Sequence, residues 1–298
     1  MANKIFAFCN QKGGVGKTTS VVNISAALTA KGYKVLIIDL DSQANATSGL
    51  GEEKPSLEST SYQLIVENSQ VPELIRKTSY ENLFLIPSNM DLSAAELELV
   101  GRERREFSLR ERITQIPGDY DFIFLDCPPS LGLITINALT ASDFLVIPLQ
   151  CEYYALEGLS QLLNTYGLVK QNLNPSLEIG GVLMTMADFR TNLTQQVIEE
   201  VKNYFKDKVF ESIIPRSVKI SEAPSFGKPA VFYDPSNRAS KNYELVAKEF
   251  AKKFGEGPKQ KPKQETATEA GSGAGAHAPA SAGDDLRNVV STAEEKQS

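Results

Sequence analysis

The sequence predicts an α/β fold, a single domain built on a mainly parallel twisted sheet flanked by helices. Three observations carry this. Short, almost wholly apolar runs recur along the chain between polar residues or prolines, as strands covered on both faces do. Stretches with apolar residues at helical spacing separate them. The first run also passes straight into a glycine-rich loop and then a helical pattern.

KIFAFCN (4–10) is the first strand candidate. After the loop, Val21, Ile24 and Leu28 recur at helical spacing until Gly32 supplies a stop. KVLIID (34–39), LFLIP (83–87), DFIFLD (121–126) and DFLVIP (143–148) are short apolar strands of the buried, parallel kind. IGGVLMT (179–185) and KVFESIIP (208–215) are expected to add two more. Leu159, Leu162, Leu163, Tyr166 and Val169 mark one helical core face, and Val197, Val201 and Tyr204 a second. Tyr243, Val246, Ala247, Phe250 and Phe254 mark the last. From Lys259 to Asp285 there is no Leu, Ile, Val, Met or aromatic residue, too little apolar surface to offset chain entropy. Residues 1–254 are therefore expected to fold and 255–298 to form a disordered tail. Within that tail Leu286, Val289 and Val290 keep helical spacing, which leaves open a short partner-binding helix.

Composition narrows the function classes. Hydrophobic residues make up 41% of 298, enough for a sizeable core, yet no apolar run reaches the roughly 18 residues of a membrane span. The N-terminus lacks the pattern of a signal peptide, so a cytoplasmic protein is expected. Cys9, Cys127 and Cys151 are scattered, in neither a disulfide framework nor a zinc spacing, and suit small buried positions at strand ends. The only histidine, His277, lies in the low-complexity stretch, which argues against a histidine base or a histidine-bound metal. A net charge of −6 argues against a generally basic nucleic-acid binder, so any DNA contact must come from a local patch.

The loop, FCNQKGGVGKTTS (8–20), nearly fits the phosphate-binding pattern that ends in Gly-Lys-Ser/Thr. Gln11 replaces its opening glycine, and an extra lysine, Lys12, follows. Gly13, Gly14 and Gly16 let the backbone curl so that its N–H groups meet phosphate oxygens, and the next helix adds the positive end of its dipole. Lys17 is placed to reach the β- and γ-phosphates, and the Thr18 hydroxyl to ligate Mg2+. Carboxylates should stand at the ends of neighbouring strands, where open α/β sheets put their ligands. VLIIDLDSQAN supplies Asp39 and Asp41, and FIFLDCPP supplies Asp126. Asp126, after four apolar residues, is the expected Walker-B partner of Mg2+, acting through water. Asp41 could orient the attacking water or serve as a turn residue beside Ser42 and Asn45.

Together these segments resemble the ParA/Soj group of deviant Walker A ATPases, the DNA-segregation branch related to MinD. KGGVGKTT (12–19), DLDSQANATSGLG (39–51), LDCPPSLG (125–132), RTNL (190–193) and IPRSVKISEAPSFGKP (214–229) carry the likeness, which runs from about residue 3 to 254. Ser42 stands where relatives often have proline. The resemblance implies a P-loop NTPase fold and slow, partner-stimulated hydrolysis of ATP with Mg2+. It implies nucleotide contacts at Lys12, Gly13, Gly14, Val15, Gly16, Lys17, Thr18, Thr19 and Pro215, catalytic roles for Lys12, Lys17 and Asp41, and metal contacts from Thr18, Asp41 and Asp126. It also implies that Lys12 crosses to the other ATP in a sandwich homodimer, so that losing the γ-phosphate loosens the pair.

As an extension of the same resemblance, the ATP dimer is expected to bind double-stranded DNA without sequence preference, and to let go when a ParB-type centromere-binding protein stimulates hydrolysis. Arg190, Arg216 and Lys219 match basic DNA-contacting positions, and Arg238 and Lys241 could extend the patch. Only three residues precede the first strand candidate, so no operator-reading domain is expected ahead of it. It ends in STAEEKQS instead of a basic amphipathic helix, so stable membrane association is not expected. An ATPase of this design that positions another cargo, or a membrane-associated division-site regulator, stays open as an alternative.

Overall fold

Alternation of side chains along each strand sets the architecture of the computed structural model, which describes residues 3–53, 58–67, 69–152 and 157–257. The strands are β1 (Lys4–Phe8), β2 (Val35–Asp39), β3 (Arg76–Lys77), β4 (Leu83–Ile86), β5 (Phe122–Asp126), β6 (Phe144–Gln150) and β7 (Glu178–Thr185). They pair in the order β3-β4-β2-β5-β1-β6-β7, all parallel except β3 against β4. Every residue of β2 and β5 is buried, which is why both strands read as unbroken apolar runs.

The two faces differ in chemistry. Phe6, Phe8, Phe122 and Phe124 turn to one face, and Ala7, Ile123 and Leu125 to the other. Helices α1 (Lys17–Thr29), α2 (Asn45–Gly49), α11 (Ala230–Tyr233) and α12 (Arg238–Phe254) contribute to the core on the phenylalanine face. There Phe250 of α12 lies 4.7 Å from Phe6 and 5.2 Å from Phe124, between ring centroids. The aliphatic face carries α3 (Ser61–Ile65), α4 (Val71–Leu74), α5 (Leu92–Val100), α6 (Ser108–Ile113), α7 (Leu133–Ala141), α8 (Glu157–Asn172) and α9 (Asn192–Phe205). The short α10 (Val218–Glu222) has no fully buried residue, and only its Ile220 packs, partly buried, against the core on the phenylalanine face.

Two expectations need correction. KVFESIIP (208–215) is not a continuous strand: it meets β7 at one isolated bridge, Val182 with Val209, and through the Ile214 amide on the Met184 carbonyl at 2.9 Å, and its second bridge, Pro215 with Ala187, lies beyond the end of β7. Between them the Glu249 carboxylate of α12 accepts the amides of Glu211 and Ser212 at 2.8 and 2.9 Å, which draws the backbone off the sheet edge. On α9, Tyr204 is 64% exposed and Phe205 is buried in its place, so the core stripe runs Val197, Val201, Phe205. The three cysteines are buried and free, in line with their reading as small core residues. Of the tail, only residues 255–257 are described, so its expected disorder, the Leu286–Val289–Val290 helix and His277 lie outside the described residues. No helix among the described residues is long and apolar enough to cross a membrane.

Candidate functional site

The loop between β1 and α1 lies at the carboxyl ends of the central strands. It is pinned from below by Asn10, whose amide nitrogen donates to the Pro148 carbonyl at 2.8 Å and whose side-chain oxygen accepts the Lys12 amide at 3.0 Å. From the side, the Thr185 hydroxyl donates to the Val15 carbonyl at 2.8 Å. Neither anchor announces itself in the sequence, although Asn10 stands two residues before Lys12. Gly16 has φ 86, a left-handed conformation that a side chain resists, and it starts α1 without a side-chain cap. The first turn of α1 therefore has no capping side chain across its free N–H groups.

The two loop lysines occupy different places. Lys17 is buried, donates to the Lys12 carbonyl at 3.3 Å and lines a cavity of about 720 Å3. Burial lowers its pKa, while Asp126 first, then Cys127, Cys9 and Asp41, act to raise it. Lys12 does not line that cavity. Its ammonium pairs with Glu152 at 2.7 Å, both side chains being 47% exposed, and Glu152 is in turn held by the Gln150 amide at 2.5 Å.

Around Lys17 the acidic groups divide by hydrogen bonding. Asp39 is fully buried, accepts the Thr47 amide and hydroxyl at 2.9 and 2.8 Å, and accepts the Asp41 amide at 3.1 Å. Desolvation still pushes its pKa up to about 6. Asp39 thus organises the turn that presents Asp41, whose carboxylate lines the cavity and accepts the Gln43 amide at 2.9 Å. Asp126 pairs with Asp39 across adjacent strands, and both its oxygens are buried with no hydrogen-bond partner. Burial raises its pKa well above the usual carboxylate range, the Asp39 charge adds to this, and Thr18 and Lys17 oppose it.

An unpartnered buried carboxylate beside Thr18 fits a site for a hard cation with oxygen ligands. Among the described residues no group of three or more His, Cys, Asp or Glu could hold a metal ion by itself. The cavity has the size of a small-molecule site and is lined by Gly13, Gly14, Gly16, Thr18 and Thr19. Its far wall holds Met186, at φ 52, together with Pro215 and Arg216. Val15 and Asp126 stand behind this lining, as Lys12 stands outside it.

Of the basic residues, Arg190 is 88% exposed in its side chain and forms a fork on Asp188, at 2.8 Å from Nε and 2.5 Å from a terminal nitrogen. That hydrogen bonding lowers the Asp188 pKa to about 2. Lys219 pairs with Glu222 at 2.8 Å. Arg216 is exposed on the cavity rim, and its charge also reaches Asp188. Arg238 packs over the Phe189 ring at 5.3 Å, which brings it next to the Arg190 turn.

A family profile described as an AAA domain matches residues 3–179. The sporulation initiation inhibitor protein Soj of Bacillus subtilis is 56% identical over 248 residues, covering 83% of this chain and 98% of its own. The chromosome partitioning protein ParA of Myxococcus xanthus is 48% identical over 250 residues, 84% of this chain and 88% of its own. Among solved structures, cobyrinic acid a,c-diamide synthase from Mycobacterium smegmatis with a bound ATP analogue and magnesium is 35% identical. It matches with a TM-score of 0.75 over 83% of this chain and 93% of that one.

Proposed function

The chain belongs to the ParA/Soj family of the MinD/ParA superfamily, and on that premise we propose that it is a partitioning ATPase worked by an ATP-dependent homodimer. The observation that carries this reading is the separation of the two lysines. Lys17 faces the chain's own cavity, whereas Lys12 points out of it to a half-exposed carboxylate. A cation so placed suits the triphosphate of a second subunit, with two anionic nucleotides facing each other across a two-fold axis.

In this reading the amides of Gly13, Gly14, Val15 and Gly16 cradle the phosphates, and Thr19 and Pro215 complete the nucleotide contacts. Lys17 neutralises the β- and γ-oxygens from within. The Thr18 hydroxyl and Asp126 would hold Mg2+, which would supply positive charge to the phosphates. Asp41 accepts a hydrogen bond from the attacking water and contributes to the metal's surroundings. Basal turnover is slow because the partner's Lys12 and a ParB-type stimulator complete the arrangement.

The dimer presents two copies of Arg190, Arg216 and Lys219 to double-stranded DNA of any sequence, which accounts for nucleotide-gated binding despite the acidic whole. The protein would then be cytoplasmic and nucleoid-associated, with no stable membrane attachment. The test is binding to random-sequence duplex DNA at a stated salt concentration, for wild type and Lys12→Ala together. Wild type is expected to bind with ATP and not with ADP, and the variant with neither. A wild type that ignores DNA in every nucleotide state would overturn the DNA part of the reading.

A further inference from the structure

The nucleotide cavity has a second wall, formed by two chain segments that meet backbone to backbone. One is the turn and helix that follow Asp41. Ala44, at φ 53, donates its amide to the Asp41 carbonyl at 2.8 Å, and α2 follows at once. Thr47 ties this helix to the buried Asp39, and its hydroxyl also accepts the Ser88 amide at 3.0 Å. The Gly51 amide closes the segment on Ser48 at 3.0 Å. Asp39 to Gly51 is therefore one hydrogen-bonded piece, with Asp41 at the nucleotide end.

The other segment is α10 with the 3-10 turn Ala223–Phe226 and Gly227 after it. Val218, Ile220 and Ser221 line the same cavity as Asn45 and Ser48. Ala223 is the one fully buried residue between Val218 and Gly227, and the piece is otherwise held at its edges, by Ile220 against the core and by Phe226 stacked on Tyr233 at 4.9 Å. Gly227, at φ 60, meets Gly51, at φ 87. A Cβ on Gly227 would stand 2.7 Å from the Gly51 Cα and 3.2 Å from its nitrogen. A Cβ on Gly51 would stand 3.3 Å from the Gly227 carbonyl oxygen. With no side chain between the two backbones, no rotamer change can absorb a displacement of one against the other.

We propose that the Gly51–Gly227 contact is a positioning device that passes the state of the nucleotide from the Asp41 segment to the Val218–Gly227 segment and its Lys219. The inference rests on the proposed function for what it delivers, namely the DNA-facing pose of Lys219. The contact itself can be tested without DNA.

The experiment is amide hydrogen exchange on the full chain with Mg2+ and either ADP or a non-hydrolysable ATP analogue. In wild type, amides 218–227 are expected to exchange differently in the two states by about tenfold, the scale of ordinary site-to-site coupling. In Gly227→Ala that difference is expected to vanish, while residues 41–50 keep theirs and nucleotide affinity holds within about threefold. A purely structural role would weaken nucleotide binding and both segments alike. Equal exchange of 218–227 in the two states of wild type overturns the proposal, as does a wild-type difference surviving in the variant. Should Gly227→Ala fail to fold, the wild-type comparison still decides, and Gly51→Ala, the milder crowding, is read by the same criteria. If exchange responds as expected but wild type never binds DNA, the DNA reading falls and the contact stands.

Discussion

Lys12 and Lys17 stand five residues apart, and their partners come from opposite environments. The pattern of the loop makes both lysines visible in the sequence, but Glu152 lies 140 residues from Lys12 and carries no motif. Asp39 was visible only as one of two aspartates ending a strand, because burial and neighbouring carboxylates, not residue type, separate its task from that of Asp126. Its elevated pKa has a thermodynamic consequence. The folded chain retains the Asp39 proton up to about pH 6, whereas an unfolded chain releases it near the ordinary value of about 4. Stability of the nucleotide-free chain should accordingly fall as pH rises from about 4 to about 6, at up to about 1.4 kcal/mol per pH unit for one proton. Asp126, raised as well by burial and by the Asp39 charge, acts in the same direction, and Asp188 titrates below this window. Bound Mg2+ and ADP should flatten the slope by favouring the ionised carboxylates. Urea midpoints measured from pH 4 to 7 with and without Mg2+ and ADP check this, and a nucleotide-free midpoint that rises with pH contradicts it. Thr47→Val should cost about 2–3 kcal/mol in the same assay, since it strips a donor from a buried carboxylate and an acceptor from the Ser88 amide.

Elements were most legible where one strand or helix decides its own burial. The runs ending at Asp39 and Asp126 became strands because each is apolar throughout and short. The stripe from Tyr243 to Phe254 became α12 because all five of its positions are buried against α1 and the sheet. Legibility failed where a distant side chain intervened. Phe210, Ile213 and Ile214 look like strand residues, and Phe210 does fill the space above Gly181, but Glu249 takes the Ser212 amide, between the Phe210 and Ile214 amides that do reach β7. Glu249→Ala should therefore cost about 1–2 kcal/mol, the range for freeing two partly exposed amides. Phe250→Ala, one residue on, removes a fully buried ring that meets Phe6, Phe122 and Phe124, and should cost about 3–5 kcal/mol. Guanidinium unfolding of both variants gives the comparison. Equal losses would mean that the Glu249 carboxylate organises more of the 208–215 segment than its two hydrogen bonds.

At the scale of the whole molecule, the proposed function would have an acidic chain bind a polyanion through a few cations. Two of the three candidates already have intramolecular anions, Asp188 for Arg190 and Glu222 for Lys219, which phosphates must displace. Surface pairs of this kind hold weakly, so displacement is feasible, but it makes affinity depend on how many cations act together. Three per chain become six in the proposed dimer, and six neutralised phosphates give a slope of about −5 for log affinity against log salt. A monomer would show about half that slope and far weaker binding. Arg216 occupies the rim that borders both the nucleotide cavity and the basic turn, so its substitution separates two roles. If it contacts DNA, Arg216→Ala removes two phosphate contacts per dimer, and the slope should shrink by about 2 with nucleotide affinity unchanged. If it serves the nucleotide, the slope persists and the loss appears in ATP affinity instead. DNA titrations at several salt concentrations, alongside nucleotide titrations of the same variant, assign the residue. The slope is expected to move, because the Arg216 guanidinium is exposed at a rim while, in the proposed function, Lys17 and the loop amides would cover the phosphates from within.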